Sequence, residues 1–310
     1  MKKLISLCAA LTLTVFTGCA TTTPSSAPAT STPAAATSAP TQAPVAEDAY
    51  AGKAITVVSR EDGSGTRGAF IELFGIEVKN DDGSKKDTTT KEAVIANQTG
   101  VMLTNIAGDP YAIGYVSLGS LDNSVKALSI ESVVASVENV KNKSYAIMRP
   151  FNIATKAEIS ELAQDFIGFI LSAEGQAVIT DGKYIAVDAA AKPYAGSKPA
   201  GKIVVAGSSS VTPIMEKLKE AYLAINAGAE IEIQMSDSSA GMTAAKDGTC
   251  DIGMASRELK ETEAAELTAT AIALDGIAVI VNSGNPATDL SKDQVKAIFT
   301  GEAVTWSDIK

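Results

Sequence analysis

From about residue 53 onward, short apolar runs of strand length alternate with stretches of helical periodicity, a pattern that argues for an α/β fold rather than a sandwich or a bundle. KAITVVS reads as a buried strand followed by a helix over residues 66–73. DPYAIGYVSLG, residues 109–119, reads as turn, strand and turn. Residues 157–171 place Ile159, Leu162, Phe166, Ile167 and Ile170 on one helical face, and SAEGQAVI continues that helix after a break. DAAAKPYAGSKPAGK, residues 188–202, reads as a surface connector. Beyond it come the strand IVVAG, a helix opened by Pro213, the alternating strand EIEIQM, a short helix at AGMTAAKDG and the strand CDIGMAS. AIALDGIAVIVN is one long strand with a break expected at Asp275 and Gly276, and SKDQVKAIFTG is a capped helix. KKDTTTKEA reads as a solvated loop, and Tyr115, Phe299 and Trp306 as core residues.

The N-terminus departs from this pattern. Lys2 and Lys3 precede an apolar run from Leu4 to Phe16 that is too short to span a bilayer, which predicts an export signal over residues 1–18. The order Phe16, Thr17, Gly18, Cys19 resembles a bacterial lipobox, with Cys19 as the lipidated residue; the alternative is an ordinary signal with an incidental cysteine. Residues 20–46 are Ala, Thr, Ser and Pro with hardly another residue type and no charge, too little apolar surface to fold. We read residues 19–50 as a tether, which would reach roughly 30 Å as a coil and at most about 80 Å as polyproline II.

Charge and composition then narrow the chemistry. The chain of 310 residues carries a formal charge of −10, which disfavours nucleic acid or an anionic surface as partner. It contains no histidine, so a Ser-His-Asp mechanism and a Cys/His metal site are excluded. With Cys8 in the signal and Cys19 lipidated, Cys250 is alone in the folded part and no intramolecular disulfide is possible there.

Three segments share one design, a strand end, a small hydroxyl-rich turn and a helix start: DGSGTRGAF, AGSSSVTPIMEKL and SDSSAGMTAA. A helix N-terminus presents unpaired N–H groups and positive potential, hydroxyls add donors, and glycine admits a ligand to the backbone. Ser256 and Arg257 follow the strand DIGMA as a fourth polar pair. Any one turn alone reads as a simple N-cap, and Arg60 beside Asp62 as a surface ion pair. Together they supply many donors with no metal, hydride or nucleophile chemistry, and a dehydrated tetrahedral oxyanion is the natural occupant. GSGTR lacks the spacing and lysine of a Walker loop.

VVSREDGSGTRGAF, AIGYVSLGSL, FIGFILSAEGQAVI, VVAGSSSVTPIMEKL, DIGMASRELK, ALDGIAVIVN and VKAIFTGEAVTW closely resemble the phosphate-binding proteins (PstS type) of ABC phosphate importers, over nearly all of 53–310. The resemblance implies a two-lobed, periplasmic-binding-protein-like (type II) α/β clamshell that closes on one phosphate and needs no cofactor. Carried over position by position, the phosphate ligands fall on Arg60, Ser64, Gly65, Thr66, Ser209, Ser210, Ser238, Ser256 and Arg257, with Asp62 orienting Arg60. It also implies a membrane ABC permease as partner and an exported protein, lipid-anchored to the outer face of the cell membrane.

Two departures qualify it. Better-known members carry an Asp near Ser256 that accepts the phosphate proton and repels sulfate; here Asp237 or Asp62 are the candidates, and sulfate is the rival ligand. The segment order also differs: family members begin at VVAGSSSV, whereas this chain begins at VVSREDGSGTR, a circularly permuted order. One lobe is then assembled from 51–145 and 279–310, the other is 146–278, and the chain crosses near 144–149 and 273–277. We expect a monomer, against a dimer that exchanges 279–310. A phosphate sensor without transport and a phosphate-ester hydrolase are rivals of other classes, the hydrolase disfavoured because no base stands beside Ser64 or Ser209.

Overall fold

The computed structural model describes Tyr50, residues 52–82 and residues 84–309. The signal segment, Cys19 and the tether lie outside the described residues. Eight principal strands are β1 (Thr56–Arg60), β2 (Val94–Ala96), β3 (Ala112–Ser117), β4 (Met148–Thr155), β5 (Gly201–Ser208), β6 (Ala229–Ser236), β7 (Ile252–Ala255) and β8 (Thr268–Asn282). They form one sheet in the order β6-β5-β7-β4-β8-β3-β1-β2, and the short strands Val125–Ala127 and Ile185–Ala186 also pair on β8. At one end β5 pairs in parallel with β6 and β7; at the other, β1 pairs in parallel with β2 and β3. The antiparallel pair β4–β8 joins the two blocks.

The principal helices are α1 (Gly65–Leu73), α2 (Thr99–Gly108), α3 (Glu161–Ile170), α4 (Ala173–Asp181), α5 (Thr212–Ile225), α6 (Ser238–Asp247) and α7 (Lys292–Thr300). The helix expected from 157 begins instead at Glu161, because the Ser160 hydroxyl accepts the Ala163 N–H and caps it there. Ser172 likewise caps α4, which accounts for the break before SAEGQAVI. β8 runs unbroken through Asp275 and Gly276; its register shift falls at Ala271/Ala273. KKDTTTKEA is not loop throughout, since Lys85–Asp87 pairs with Glu77–Lys79. Tyr115 and Phe299 are buried, whereas Trp306 is only partly buried and donates its indole N–H to the Tyr111 carbonyl.

Two large hydrophobic clusters lie on either side of the β4–β8 crossing. One draws on residues 57–147 together with Ile185 and 277–303, the other on 151–273. Val295, Ile298 and Phe299 of α7 complete the first, and the Phe299 ring stands edge-on to Phe70 at 4.7 Å. The described ends meet: Ala54 bridges Thr305 antiparallel, Ile55 N–H donates to the Val304 carbonyl at 2.9 Å, and Trp306 N–H to the Lys53 carbonyl at 3.1 Å. The connector is strapped to its own half, where Asp165 accepts the Ser197 N–H at 2.9 Å together with the Tyr194 and Tyr222 hydroxyls, and the Lys192 carbonyl caps Ala173 N–H.

Adjacent ends and a peripheral connector predict that the chain order is exchangeable. A variant that joins residue 309 to residue 52 through a short Gly/Ser linker and opens the chain between 189 and 191 is expected to fold with the same circular dichroism and a melting temperature within a few degrees. Loss of cooperative melting would show that the present order is required.

Candidate anion site

The site is assembled at the C-terminal ends of β1 and β5, where strand residues hand over to helix starts. Arg60 closes β1 and is 2% exposed. Its backbone N–H donates to the Tyr115 hydroxyl at 3.1 Å, and that hydroxyl shares a 2.9 Å bond with Ser59 Oγ. Tyr115 is itself fixed by stacking on Phe70 at 3.9 Å. The packing of the first core thereby sets where Arg60 leaves the sheet.

The Arg60 guanidinium is shared among several acceptors. Nε and NH2 donate to the two Glu61 oxygens at 2.8 and 2.6 Å, and Nε also donates to the Ala96 carbonyl at 3.1 Å. NH2 further donates to Ser209 Oγ of the turn after β5 at 3.0 Å, and NH1 reaches Thr99 Oγ1 at 3.4 Å. Glu61, not Asp62, therefore orients Arg60. Asp62 lies in the turn with its side chain 95% exposed and pairs with Arg67 at 2.8 Å. Its position outside the cluster also removes it as an acceptor for a ligand proton.

Around Arg60 the hydroxyls of the two halves meet. Thr66 Oγ1 and Ser210 Oγ share a 2.8 Å bond, and Thr99 Oγ1 lies 3.3 Å from Ser209 Oγ and 3.4 Å from Ser210 Oγ. Ser208 Oγ donates to Ser256 Oγ at 3.0 Å, Ser256 N–H donates to Ser238 Oγ at 3.1 Å, and the Ser238 and Ser256 hydroxyls are 3.5 Å apart. Thr66, Ser208, Ser209, Ser210, Ser238 and Ser256 are all buried. Ser64 caps α1 through the Arg67 N–H at 3.3 Å, which leaves its hydroxyl proton free to donate. The starts of α1, α2 and α6 and the turn before α5 all face this cluster, so their N–H dipoles add positive potential without adding net charge.

Three glycines make the approach possible. A Cβ on Gly65 would lie 2.5 Å from Ser238 Oγ and 2.8 Å from Ser256 Oγ. Gly207, at φ +130°, lets β5 meet Gly241 of α6, where a Cβ on Gly241 would lie 2.6 Å from the Gly207 Cα; this seats the Ser208–Ser210 turn beside the Ser238 helix start.

Arg257 stands beside the cluster rather than in it. NH1 and NH2 donate to Glu263 at 2.7 and 2.9 Å, NH1 also to the Glu258 carbonyl, and NH2 also to Ser239 Oγ at 3.1 Å. Burial would raise the Glu263 carboxyl, but the Arg257 hydrogen bonds and charge together with the Lys260 N–H hold it below the usual range. Asp237 is engaged as the α6 N-cap through the Ala240 N–H at 2.8 Å, and its carboxylate lies over Gly63 of the other half. Glu61, Thr99, Ser208 and Glu263 escaped the sequence reading. VIANQTGVML repeats the strand–turn–helix design and could have flagged Thr99. A cavity of about 950 Å³ beside Asp165 and the connector contains none of these residues.

Residues 18–174 and 192–310 match the model of the PBP superfamily domain. A phosphate-binding protein PstS 2 of Streptococcus agalactiae is 57% identical over 257 residues, 82% of this chain and 87% of that protein. The chain belongs to the PstS family of phosphate-binding proteins. A second PstS 2, from Streptococcus pneumoniae, is 49% identical over 84% of this chain and 89% of its own length. The crystal structure of a phosphate ABC transporter phosphate-binding protein from the same species superposes on this PstS-family chain with a TM-score of 0.67 at 49% identity, covering 83% of this chain and all of that one. Each match runs along most of both chains, so the two relatives share this segment order along the aligned length.

Two outcomes follow from the geometry. Gly65→Ala is expected to push the Ser238 and Ser256 hydroxyls away from α1 and to weaken anion binding by about tenfold or more, measured by calorimetry; an unchanged affinity would show that the close approach is not needed. Glu263, depressed in the folded protein, contributes stability that is present above its unfolded range and is lost as pH falls through its folded one. Glu263→Gln should therefore lower the melting temperature at neutral pH and flatten its fall in acid, whereas parallel pH profiles would contradict the pairing.

Proposed function

We propose that this protein captures inorganic phosphate outside the cytoplasm and delivers it to an ABC importer, bound to the membrane by lipid on Cys19 and acting as a monomer. The observation that carries the reading is the buried cluster of Thr66, Thr99, Ser208, Ser209, Ser210, Ser238 and Ser256 hydroxyls around the Arg60 guanidinium. It binds and does not turn over: the cluster holds donors for an oxyanion, while Glu61 and Glu263 are committed to Arg60 and Arg257 and Asp237 caps α6. The phosphate oxygens would take the hydroxyl protons that now bond one another, the Ser64–Thr66 and Ser238 helix starts, and the Arg60 edge that meets Ser209. At about 1.5–3 kcal/mol for each charge-assisted bond, several such bonds cover the roughly 8 kcal/mol of micromolar binding after association costs.

Residues 51–145 with 279–310 form one half of the clamp and 146–278 the other, hinged where β4 and β8 cross. The meeting of the described ends at Ala54 and Thr305 supports reading this order as a circular permutation of the family's other order. Sulfate remains the rival within the same site, because Ser256 supplies a hydroxyl where a carboxylate would repel a fully ionised anion.

Calorimetric titration of the exported domain with phosphate and with sulfate tests the proposal. Phosphate should bind in the micromolar range or tighter, and Arg60→Ala should weaken it by about tenfold or more, since a buried anion loses a charge-assisted partner. No binding at millimolar phosphate would refute it, and tighter binding of sulfate would reassign the ligand.

A further inference from the structure

The second arginine of REDGSGTRG has a different task from the first. Arg67 stands in the first turn of α1, and its side chain runs back to the strand that precedes it, where NH1 donates to the Arg60 carbonyl at 2.7 Å. The same NH1 lies 2.8 Å from the exposed Asp62 carboxylate, and Nε donates to Asp87 Oδ2 at 2.9 Å. Among the described residues the guanidinium bonds to none of the clustered hydroxyls. Residues 60 and 67 bracket the turn that carries Ser64, Gly65 and Thr66, so one side chain fastens the two ends of that turn together. Inside the bracket, Ser64 N–H donates to the Glu61 carbonyl at 3.0 Å and Arg67 N–H to Ser64 Oγ at 3.3 Å.

Asp87 supplies a fixed point for this side chain. It ends the short strand Lys85–Asp87, opposite Glu77, and its Oδ1 accepts the Thr89 N–H at 2.7 Å. The residues after it are tied to the first core: Thr88 N–H donates to the Ile76 carbonyl at 3.2 Å and Thr90 N–H to the Phe299 carbonyl at 2.8 Å, and Ile76 and Phe299 are fully buried. Burial would raise the Asp87 carboxyl, but its hydrogen bonds with Thr89 and the charge of Arg67 hold it below the usual range, so it stays ionised. With side chains 14% and 27% exposed, the Arg67–Asp87 pair is screened less than an ion pair in open solvent.

Donors hold an oxyanion well when they already point to where its oxygens will sit; otherwise binding must first order them. Ser64, Gly65 and Thr66 lie between the two residues that Arg67 joins, and Gly65 fits against Ser238 and Ser256 with no room for a Cβ. A shift of the turn would therefore move three donors at once. A guanidinium suits the task because its planar fork reaches separate acceptors in fixed directions. We propose that Arg67, held by Asp87, is a positioning residue for the anion site, aiming the Ser64–Thr66 helix start at phosphate without touching it. This rests on the phosphate clamp proposed above.

Charge and positioning predict opposite signs for one variant. Asp87→Asn removes a negative charge from the neighbourhood of the site, which through the field alone would tighten anion binding; with Arg67 released from its anchor, phosphate binding should instead weaken by about tenfold. Arg67→Lys keeps the charge but not the fork and is expected to weaken binding to a similar extent. Arg67→Met combined with Asp87→Asn should bind no more weakly than Arg67→Met alone, because the two residues act as one unit. Calorimetric titration of the exported domain with phosphate reads all four, at a temperature where circular dichroism shows each variant folded. Wild-type or tighter affinity in Asp87→Asn, or wild-type affinity in Arg67→Lys, overturns the inference and leaves the phosphate clamp standing, as would additive losses in the double variant; should Asp87→Asn not fold, Arg67→Lys decides alone. A wild-type protein that fails to bind phosphate removes the clamp and this inference together.

Discussion

A guanidinium placed where water does not reach must be given partners, and much of the site follows from doing so for Arg60. An unpaired buried cation is among the costliest groups a fold can hold. Glu61 takes one edge of the group, the Ala96 carbonyl reinforces that edge, and Ser209 and Thr99 meet the remainder. Since Ser209 arrives from the turn after β5, the partnering of Arg60 is completed only by the packing of that turn against the end of β1.

Three arginines near the junction of the halves are each matched by an acid: Arg60 by Glu61, Arg257 by Glu263 and Arg149 by Asp275. Local charge is thus close to balanced, in a chain that is net acidic. Affinity for an anion then has to come from oriented donors, the hydroxyl cluster and the helix starts, rather than from an attractive field. Oriented donors at short range also fit a ligand recognised by shape and by its number of oxygens. Asp275 is the most deeply buried of the three acids, and that burial pushes its carboxyl up against the pull of Arg149.

Much of this was legible in the residues. Hydrophobic periodicity located every principal strand and helix that it named, because burial of one face is what each element needs. The hydroxyl-rich turns were visible as a repeated design, and Thr66, Ser209, Ser210, Ser238 and Ser256 do come together. Side-chain direction was not legible. Glu61 and Asp62 are neighbours, yet the chain turns between them, so one reaches back to Arg60 and the other faces solvent. Thr99 joins the site through the pairing of β2 with β1, and Glu263 through the helical turn after ASREL; both depend on contacts that spacing alone does not announce. The unbroken β8 has the same origin, since Asp275 looks like a turn residue until Arg149 is placed opposite it.

The central claim is that one tetrahedral anion sits between the halves, held by both. A crystal structure of the exported domain grown with phosphate tests it most directly. The account predicts a single phosphate within hydrogen-bond distance of Arg60 and Thr66 on one side and of Ser209, Ser210 and Ser238 on the other. Phosphate bound to one half alone, or away from Arg60, would contradict it.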